Sequence, residues 1–341
     1  MALGAKALAQ HDDILTYDGM LATKMVDSSD IHLQFYRGKG LEMMARYGLL
    51  ANQYRCQECD GQCMLVASTD TQDIVKWQCR SHRDHTASVR LGSIFEKSQY
   101  SLQSLFKIIY HWAYKEPQNT VCNVLPLDDS ISKGAVIGWY SFFRDICGKW
   151  LHDHPMQLGG LDHTGEPIVV EIGQWTYRCL ETDQCQWEED HYVFGAVERQ
   201  SKRCLLQAVP DCTEMTLVDL VSQWLLPGTY IFSSDHSAYD NLSSLNGGAY
   251  KHDVLHACEG FVKRRRVSIH TQNVKNMWSR AKFMLSMQVW TQDTAFAPYL
   301  DEFMWRERFA QEDRKGVRVA FVNLVNAIRT YYPLPETPQA A

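Results

Sequence analysis

The feature that most constrains the fold is a strand-rich stretch between Pro167 and Lys282. Residues 168–174 and 230–235 are rich in β-branched and aromatic side chains, which favour strands, and the second run ends in the carboxylate of Asp235. Residues 270–278 have the pattern of a helix that begins after a polar turn. The stretch therefore predicts a mixed α/β core domain whose last part is helical.

Short motifs follow one another in this stretch. They are Val-Phe-Gly at 193–195, Val-Pro-Asp at 209–211, Pro-Gly-Thr at 227–229, Val-Leu-His at 254–256, and His-Thr-Gln with a later Trp at 270–278. In this order they resemble the DDE/DDD transposase domain of the Merlin family and of its bacterial insertion-sequence relatives. The resemblance covers residues 56–309. It implies a ribonuclease-H-like domain over residues 156–310, with elements in the order β-β-β-α-β-α.

The resemblance also places the family's three catalytic acids, and here the chain departs from the pattern. Those positions hold Gly173, Asp235 and Lys275, and the Glu that follows the first acid is replaced by Gln174. Enzymes of this class use two divalent metals, and Mg²⁺ requires oxygen ligands. Glycine supplies no such ligand, and lysine places a positive charge where a cation should lie. The sequence therefore predicts a domesticated transposase fold that has no intact catalytic site, binds no catalytic Mg²⁺ and is not an enzyme.

One alternative is that the chain retains metal-dependent phosphoryl-transfer activity. Glu171 lies two residues before Gly173, on the same face of a strand, and with Asp235 it would form part of an active metal-dependent transposase or nuclease. Lys275 would still stand in that pocket. Asp235 also has a simpler interpretation, as a carboxylate that caps a turn or helix at a strand end.

A cysteine and histidine pattern precedes the core. Cys56 and Cys59 are followed by Cys79 and His82, which gives two close pairs of ligands separated by predicted ribbon strands. Structural Zn²⁺ prefers four such nitrogen and sulfur ligands in a tetrahedron. Residues 51–98 are therefore predicted to form a zinc ribbon, with Cys63 and His85 as alternative ligands. In the transposases that the chain resembles, the ribbon helps to bind transposon ends. A structural role, or docking of a protein, remains open here.

The remaining segments are predicted to be helical. Residues 1–50 form an N-terminal helical arm, and residues 99–155 form helices compatible with a helix-turn-helix. Residues 311–341 form a C-terminal helix and tail. The fold class is thus a multidomain α+β protein in which a zinc ribbon and a helix-turn-helix-like region precede the ribonuclease-H-like core.

Composition limits the partners. The net charge of the 341 residues is −6, which argues against an indiscriminate polybasic coat on nucleic acid. No apolar run is long enough to span a bilayer, and eleven cysteines without a secretory signal indicate an intracellular protein with free thiols and metal ligands. We therefore expect no membrane partner.

The chain contains a local basic cluster although its net charge is negative. It consists of Lys263, Arg264, Arg265, Arg266, Lys275, Arg280 and Lys282. Such clusters contact phosphates without reading base sequence. A solvated loop or a nuclear-import signal is the alternative interpretation of the run at 263–266.

These patterns combine into one functional prediction. The chain is expected to be a transposase-derived, catalytically inactive subunit of a nuclear complex that binds DNA or RNA or acts as a scaffold. Other protein subunits are expected partners, and homodimerisation is left open. The active enzyme described above is the first alternative, and an assembly factor that binds only protein is the second.

Overall fold

The computed structural model describes residues 6–9, 14–22, 28–124, 131–177, 191–255, 270–287, 296–310 and 317–335. The chain divides into two compact units. The first comprises Met1–Ile146 together with Glu312–Ala341, and the second comprises Cys147–Gln311. The second unit contains the stretch predicted to be the ribonuclease-H-like core.

The first unit combines helices with a small sheet. Its helices are α1 (Tyr17–Ala22), α2 (Ser28–Tyr36), α3 (Gly40–Arg46), α4 (Leu102–Ala113), α5 (Gln118–Val124), the first part of α6 (Lys133–Asp153) and α10 (Val317–Tyr331). The sheet has three antiparallel strands in the order β1 (Cys63–Ala67), β2 (Val75–Cys79) and β3 (Thr86–Ser88). Strands β1 and β2 lie between Cys59 and His82, within the segment predicted to form the zinc ribbon.

The C-terminal helix belongs to this first unit. Phe321 of α10 makes ring contacts with Tyr47 and Phe106, at centroid distances of 5.5 and 5.9 Å. Asn323 accepts a hydrogen bond from the hydroxyl of Tyr17 (3.1 Å), and Arg329 donates to the carbonyl of Leu15 (3.0 Å). The end of the chain therefore completes a core that its first helices begin.

The second unit is built on a five-stranded sheet. Its strands are β5 (Val169–Tyr177), β6 (His191–Glu198), β7 (Cys204–Val209), β9 (Tyr230–Ser234) and β10 (Lys251–Leu255), in the spatial order β10-β9-β5-β6-β7. Strands β5, β6 and β7 are antiparallel neighbours, whereas β9 is parallel to both β5 and β10. A short parallel pair joins β4 (Leu158–Gly159) to β8 (Leu225–Leu226). The helices are α7 (Glu214–Trp224), α8 (Gln272–Ser286) and α9 (Ala297–Ala310), together with the last turns of α6.

The two faces of this sheet carry separate cores. On one face, Val170 and Ile172 of β5 lie in a cluster with Leu217 and Val221 of α7. On the other face, Val193 of β6 belongs to a cluster that contains α8 and α9. Successive side chains of a strand point to opposite faces, so Glu171, Gly173 and Trp175 of β5 face α8. This alternation decides which side chains reach the candidate site.

The Val-Phe-Gly motif has a packing role. A Cβ atom on Gly195 would overlap the indole ring of Trp278 and would lie 2.9 Å from Cε of Met277. Trp278 is the tryptophan of the motif at 270–278, and only 8% of its surface is exposed. The glycine of one motif therefore makes room for the tryptophan of another, and this holds α8 against β6.

We expect Gly195→Ala to lower the free energy of unfolding by about 2 kcal/mol, since overpacking a filled core typically costs about 1–3 kcal/mol. Urea denaturation of the purified chain measures this loss. Gly138→Ala is the matched control, because no atom lies within 4 Å of its added Cβ in α6. That variant should be more stable by up to about 1 kcal/mol. Equal stability of the two variants would show that α8 does not require a glycine at position 195 to pack Trp278 against β6.

Asp301 gives the second unit a pH-dependent stability. Burial raises the pKa of its carboxyl to about 6. Because this folded-state pKa lies above the unfolded value, the folded chain binds the extra proton, and stability falls as pH rises from about 4 to about 6. Asp301→Asn should therefore stabilise the chain by on the order of 2 kcal/mol at about pH 7.5, with a smaller gain at about pH 5.

Thermal unfolding at the two pH values measures this difference. Asp145→Asn, at an exposed position of α6, serves as the control and should leave stability unchanged at both. A gain for Asp301→Asn that is larger at the lower pH would contradict the expected direction.

Candidate functional site

A cavity of about 280 Å³ in the second unit brings together positions that the resemblance singles out. Its lining residues are Ile172, Gly173, Gln174, Trp175, Ser234, Thr271, Val274, Lys275, Trp278, Ser279 and Lys282. Two of the three positions of the family's acids, Gly173 and Lys275, are among them. The third, Asp235, follows Ser234 in the chain and is exposed to solvent.

Strand register explains this convergence. Strands β5 and β9 are parallel, with Ile172 opposite Ser233, so the next residues, Gly173 in the middle of β5 and Ser234 at the end of β9, lie side by side. Helix α8 packs on this face, and a Cβ on Gly173 would lie 3.9 Å from the side chains of Val274 and Trp278. Lys275 follows Val274 on the first turn of the helix and thus enters the cavity.

Glu171 lies two residues before Gly173 on β5, but its carboxylate contacts the start of α8. Its carboxylate is fully buried and accepts hydrogen bonds from the backbone amides of Asn273 (2.7 Å) and Val274 (3.2 Å) at the start of α8. It also accepts one from Nδ2 of Asn273 (2.7 Å). Arg199 pairs with it at 3.0 and 3.1 Å, and His270 lies 3.2 Å away. Oε2 therefore caps the helix and Oε1 pairs with Arg199 and with Asn273 Nδ2, and Glu171 is not among the described residues that line the cavity.

The same contacts tie three segments together. Arg199, just after β6, also donates to the carbonyl of His270 (3.0 Å), and its guanidinium lies 4.6 Å from the ring centroid of Phe232. Burial, and after it the charge of Arg199, lowers the pKa of His270. The negative Glu171 at the N-terminus of α8 is the arrangement that the helix dipole favours.

The charged residues that line the cavity have the opposite sign to those of a two-metal site. Its eleven described lining residues include two lysines and no carboxylate. Lys275 is half-buried, and loss of solvent lowers its pKa. Nζ of Lys282 lies 4.8 Å from the ring centroid of Trp175. The lining therefore suits an anion better than a divalent cation.

The rest of the predicted basic cluster does not converge here. Lys263, Arg264, Arg265 and Arg266 lie outside the described residues. Arg280 forms an ion pair with Glu307 of α9, at 2.6 and 3.2 Å, instead of lining the cavity. Among the described members of the cluster, Lys275 and Lys282 are thus the two that share one site.

The ribbon assembles a second site in the first unit. Cys56, Cys59 and His85 form one group and Cys59, Cys79 and His82 another, and within each group the ligand atoms lie within 4.8 Å of one another. The sulfur atoms of Cys59 and Cys79 are 3.5 Å apart, and Cys56 Sγ is 3.4 Å from Nδ1 of His85. Three thiols with a nearby histidine fit a tetrahedral metal site such as zinc.

The two histidines differ in their surroundings. Nε2 of His85 lies 2.9 Å from the Glu58 carboxylate, and metal-bound histidines commonly have such a partner on the second nitrogen. His82 is exposed and stacks on His85 at a centroid distance of 4.9 Å. The geometry therefore offers His85, predicted only as an alternative, as well as His82 for the fourth position. Cys63 lies in neither group of described residues.

The thiols are also unequal as acids. The backbone amide of His82 lowers the pKa of Cys79 to about 6. The amide of Gly61 lowers the pKa of Cys59, but the Cys79 contact, burial and Cys56 together raise it to about 11. Burial and the neighbouring thiols raise the pKa of Cys63 to about 11. Cys79 is thus the thiol best prepared to bind a metal as a thiolate.

Most of the second unit resembles a known family of domains. Residues 177–308 match the family model of the ISXO2-like transposase domain. This region is similar to a transposase domain. The match supports the transposase likeness that was predicted from the motifs, and it spans β6 to α9 of the second unit. A search of curated proteins found no match.

Two solved structures show weak similarity to the chain. The HTLV-2 integrase catalytic core domain in complex with magnesium has a TM-score of 0.25 at 11% identity, covering 40% of this chain and 82% of that one. A simian T-cell lymphotropic virus intasome in complex with the PP2A regulatory subunit B56 gamma has a TM-score of 0.28 at 9% identity, covering 58% and 66%. Similarity at this level assigns no function.

Sequence reasoning missed several participants in the site. Arg199 and Asn273 were not predicted to be partners of Glu171, and Ser234 and Thr271 were not predicted to line a cavity. The sequence signals that would have pointed to them are the basic residue directly after β6 and the polar residues that begin α8.

Among the described helices, none combines the length and the apolar character that a membrane span requires.

Proposed function

We propose that this chain is a domesticated, Merlin-like transposase derivative that no longer transfers phosphoryl groups and serves as a nucleic-acid-binding or scaffolding subunit in the nucleus. The observation that carries the proposal is the cavity in which Gly173 and Lys275 stand together, with no carboxylate among its described lining residues. The described lining offers a pair of divalent metals no carboxylate ligand, and Lys275 repels them.

The surroundings of Glu171 support the loss of catalysis. An active site built from Glu171 and Asp235 would require the Glu171 carboxylate to leave two backbone amides, Asn273 Nδ2 and Arg199. Uncapping a helix and leaving a half-buried arginine without its carboxylate partner are both costly. The retained role of Glu171 is therefore structural.

In the same proposal the ribbon holds a structural Zn²⁺. Cys56, Cys59 and Cys79 with one histidine would bind it, and the ion would cross-link the turn at 56–61 to the loop after β2. Such ions contribute folding free energy directly in small domains.

The test of function compares the natural chain with Gly173→Asp/Lys275→Glu, which restores two acids beside Asp235. Space around Gly173 accommodates the new Cβ, because its nearest neighbours are 3.9 Å away. We expect the natural chain to bind DNA or RNA in EDTA and to leave plasmid DNA uncut in Mg²⁺ or Mn²⁺. The double variant should gain Mn²⁺ binding by calorimetry, and Gly173→Ser/Lys275→Gln is its control.

Two outcomes would overturn parts of this proposal. Mg²⁺-dependent nicking by the natural chain that Asp235→Asn abolishes would establish an active enzyme. Absence of salt-dependent binding to either nucleic acid, together with stable recovery of protein partners, would favour the assembly factor that binds only protein. Fluorescence microscopy of the tagged full chain checks nuclear localisation.

A further inference from the structure

The cavity of the second unit contains a polar group that its own neighbours leave without a partner. Thr271 lines the cavity, and its Oγ1 has no hydrogen-bond partner, although only 1% of the Thr271 surface is exposed. Buried polar atoms are normally satisfied, so this hydroxyl indicates a polar occupant.

The charge of the lining defines that occupant. Lys275 and Lys282 contribute two positive charges, and Glu171 is neutralised by Arg199 at 3.0 Å. Asp235, which follows Ser234 in the chain, is exposed to solvent and is not one of the described lining residues. Lysine binds phosphate oxygens as a compact point charge, and hydroxyl and amide groups complete such sites.

The cavity is also accessible. Of the lining residues, Ser279 and Lys282 of α8 are exposed, whereas Lys275 and Ser234 are half-buried. The indole of Trp175 lies under Lys282 and forms part of the wall. A phosphate group that enters from solvent would therefore meet Lys282 first and Lys275 below it.

We propose that this cavity binds a phosphate oxyanion of a nucleic-acid backbone directly, without a metal, through Lys275 and Lys282 and with the hydroxyl groups of Ser234, Ser279 and Thr271. The inference rests on the proposed function and specifies which residues contact the nucleic acid. Lys275 carries in its own side chain the positive charge that a metal would supply in an active site. Binding is thus insensitive to EDTA and gives no discrimination between bases.

The experiment measures anisotropy of a labelled single-stranded oligonucleotide in EDTA across a salt series. Lys275→Glu is compared with Lys251→Glu, which makes the same charge change at an exposed position on β10 of the same unit. We expect Lys275→Glu to weaken binding by about tenfold or more and to lower the salt slope by about 1, as for one lost phosphate contact. Lys251→Glu should change affinity by no more than about twofold.

A second arm uses inorganic phosphate, with chloride at equal ionic strength as the reference, and measures the thermal shift of the natural chain and of Lys275→Ala. Stabilisation by phosphate that the substitution abolishes, together with oligonucleotide binding that Lys275→Glu selectively weakens, supports the inference. Phosphate stabilisation without any oligonucleotide binding shows an anion site but overturns its assignment to a nucleic-acid backbone, and the proposed function fails with it. Oligonucleotide binding that Lys275→Glu and Lys251→Glu weaken equally, without a phosphate effect, overturns the inference and leaves the proposed function standing. Circular dichroism verifies that each variant is folded.

Discussion

Replacing Glu171 with glutamine should lower the free energy of unfolding by about 3 kcal/mol, since removing one partner of a buried ion pair typically costs about 3–5 kcal/mol. Glutamine keeps the shape of the side chain but points an amide group at one of the donors that now approach Glu171. Those donors are the amides of Asn273 and Val274 and the guanidinium of Arg199. Chemical denaturation followed by circular dichroism measures the loss.

Glu166→Gln is the control, because Glu166 is an exposed carboxylate shortly before β5. Its substitution should leave stability within about 0.5 kcal/mol of the natural chain. A Glu171→Gln variant that is as stable as this control, yet loses a metal-dependent activity, would show that Glu171 is a metal ligand and would restore the active-enzyme alternative.

Loss of the ribbon metal should have the largest local effect on the first unit. We expect the purified chain to contain one zinc ion and Cys79→Ser to release it, because the substitution removes one of the three thiols that the ligand groups of the ribbon bring together. Structural zinc sites contribute on the order of 10 kcal/mol to the folding of small domains at neutral pH. Without zinc, amide hydrogen exchange over residues 51–98 should become rapid while β5, β6 and β7 stay protected.

The two histidines provide the matched comparison within this experiment. His85 has a carboxylate partner on Nε2 and its Nδ1 near Cys56, so His85→Ala should weaken zinc binding by about tenfold or more. His82→Ala should retain the metal against a competing chelator. The reverse result would return His82 to the fourth position, which the sequence spacing predicts for it. Retention of zinc by Cys79→Ser would contradict the site itself.

Local features of the fold were legible in the sequence. Runs rich in β-branched and aromatic residues specified strands β5 and β9. At the start of α4, Ser101 is a preferred N-cap residue, and its hydroxyl accepts a hydrogen bond from the Ser104 amide at 3.2 Å. The close spacing of Cys56 with Cys59 likewise indicated a ligand pair, because both lie on one short turn. These features depend on neighbours a few residues apart, and such patterns can be recognised in a single chain.

The sequence also showed where the chain departs from the pattern of the family that it resembles. Only the tertiary structure showed what the residues at and near those positions contact. Glu171 and Gly173 share one face of β5, and from the alternation alone both were candidates for the same pocket. The packing of α8 separated them, since Glu171 caps the helix and Gly173 opens the cavity. Nothing in the local sequence shows where a helix much later in the chain will begin relative to a strand.

By itself, then, the sequence predicted which segments form strands, helices and ligand pairs, and the resemblance that it carries predicted that Gly173 and Lys275 stand at positions of the family's acids. Tertiary structure alone decided that Lys275 and Lys282 share a cavity with an unsatisfied Thr271 hydroxyl, that Arg280 pairs with Glu307, and that α10 packs against α4 of the first unit. The physical reason is that secondary structure follows short-range periodicity and capping, whereas the partner of a buried charge is set by contacts between residues distant in the chain.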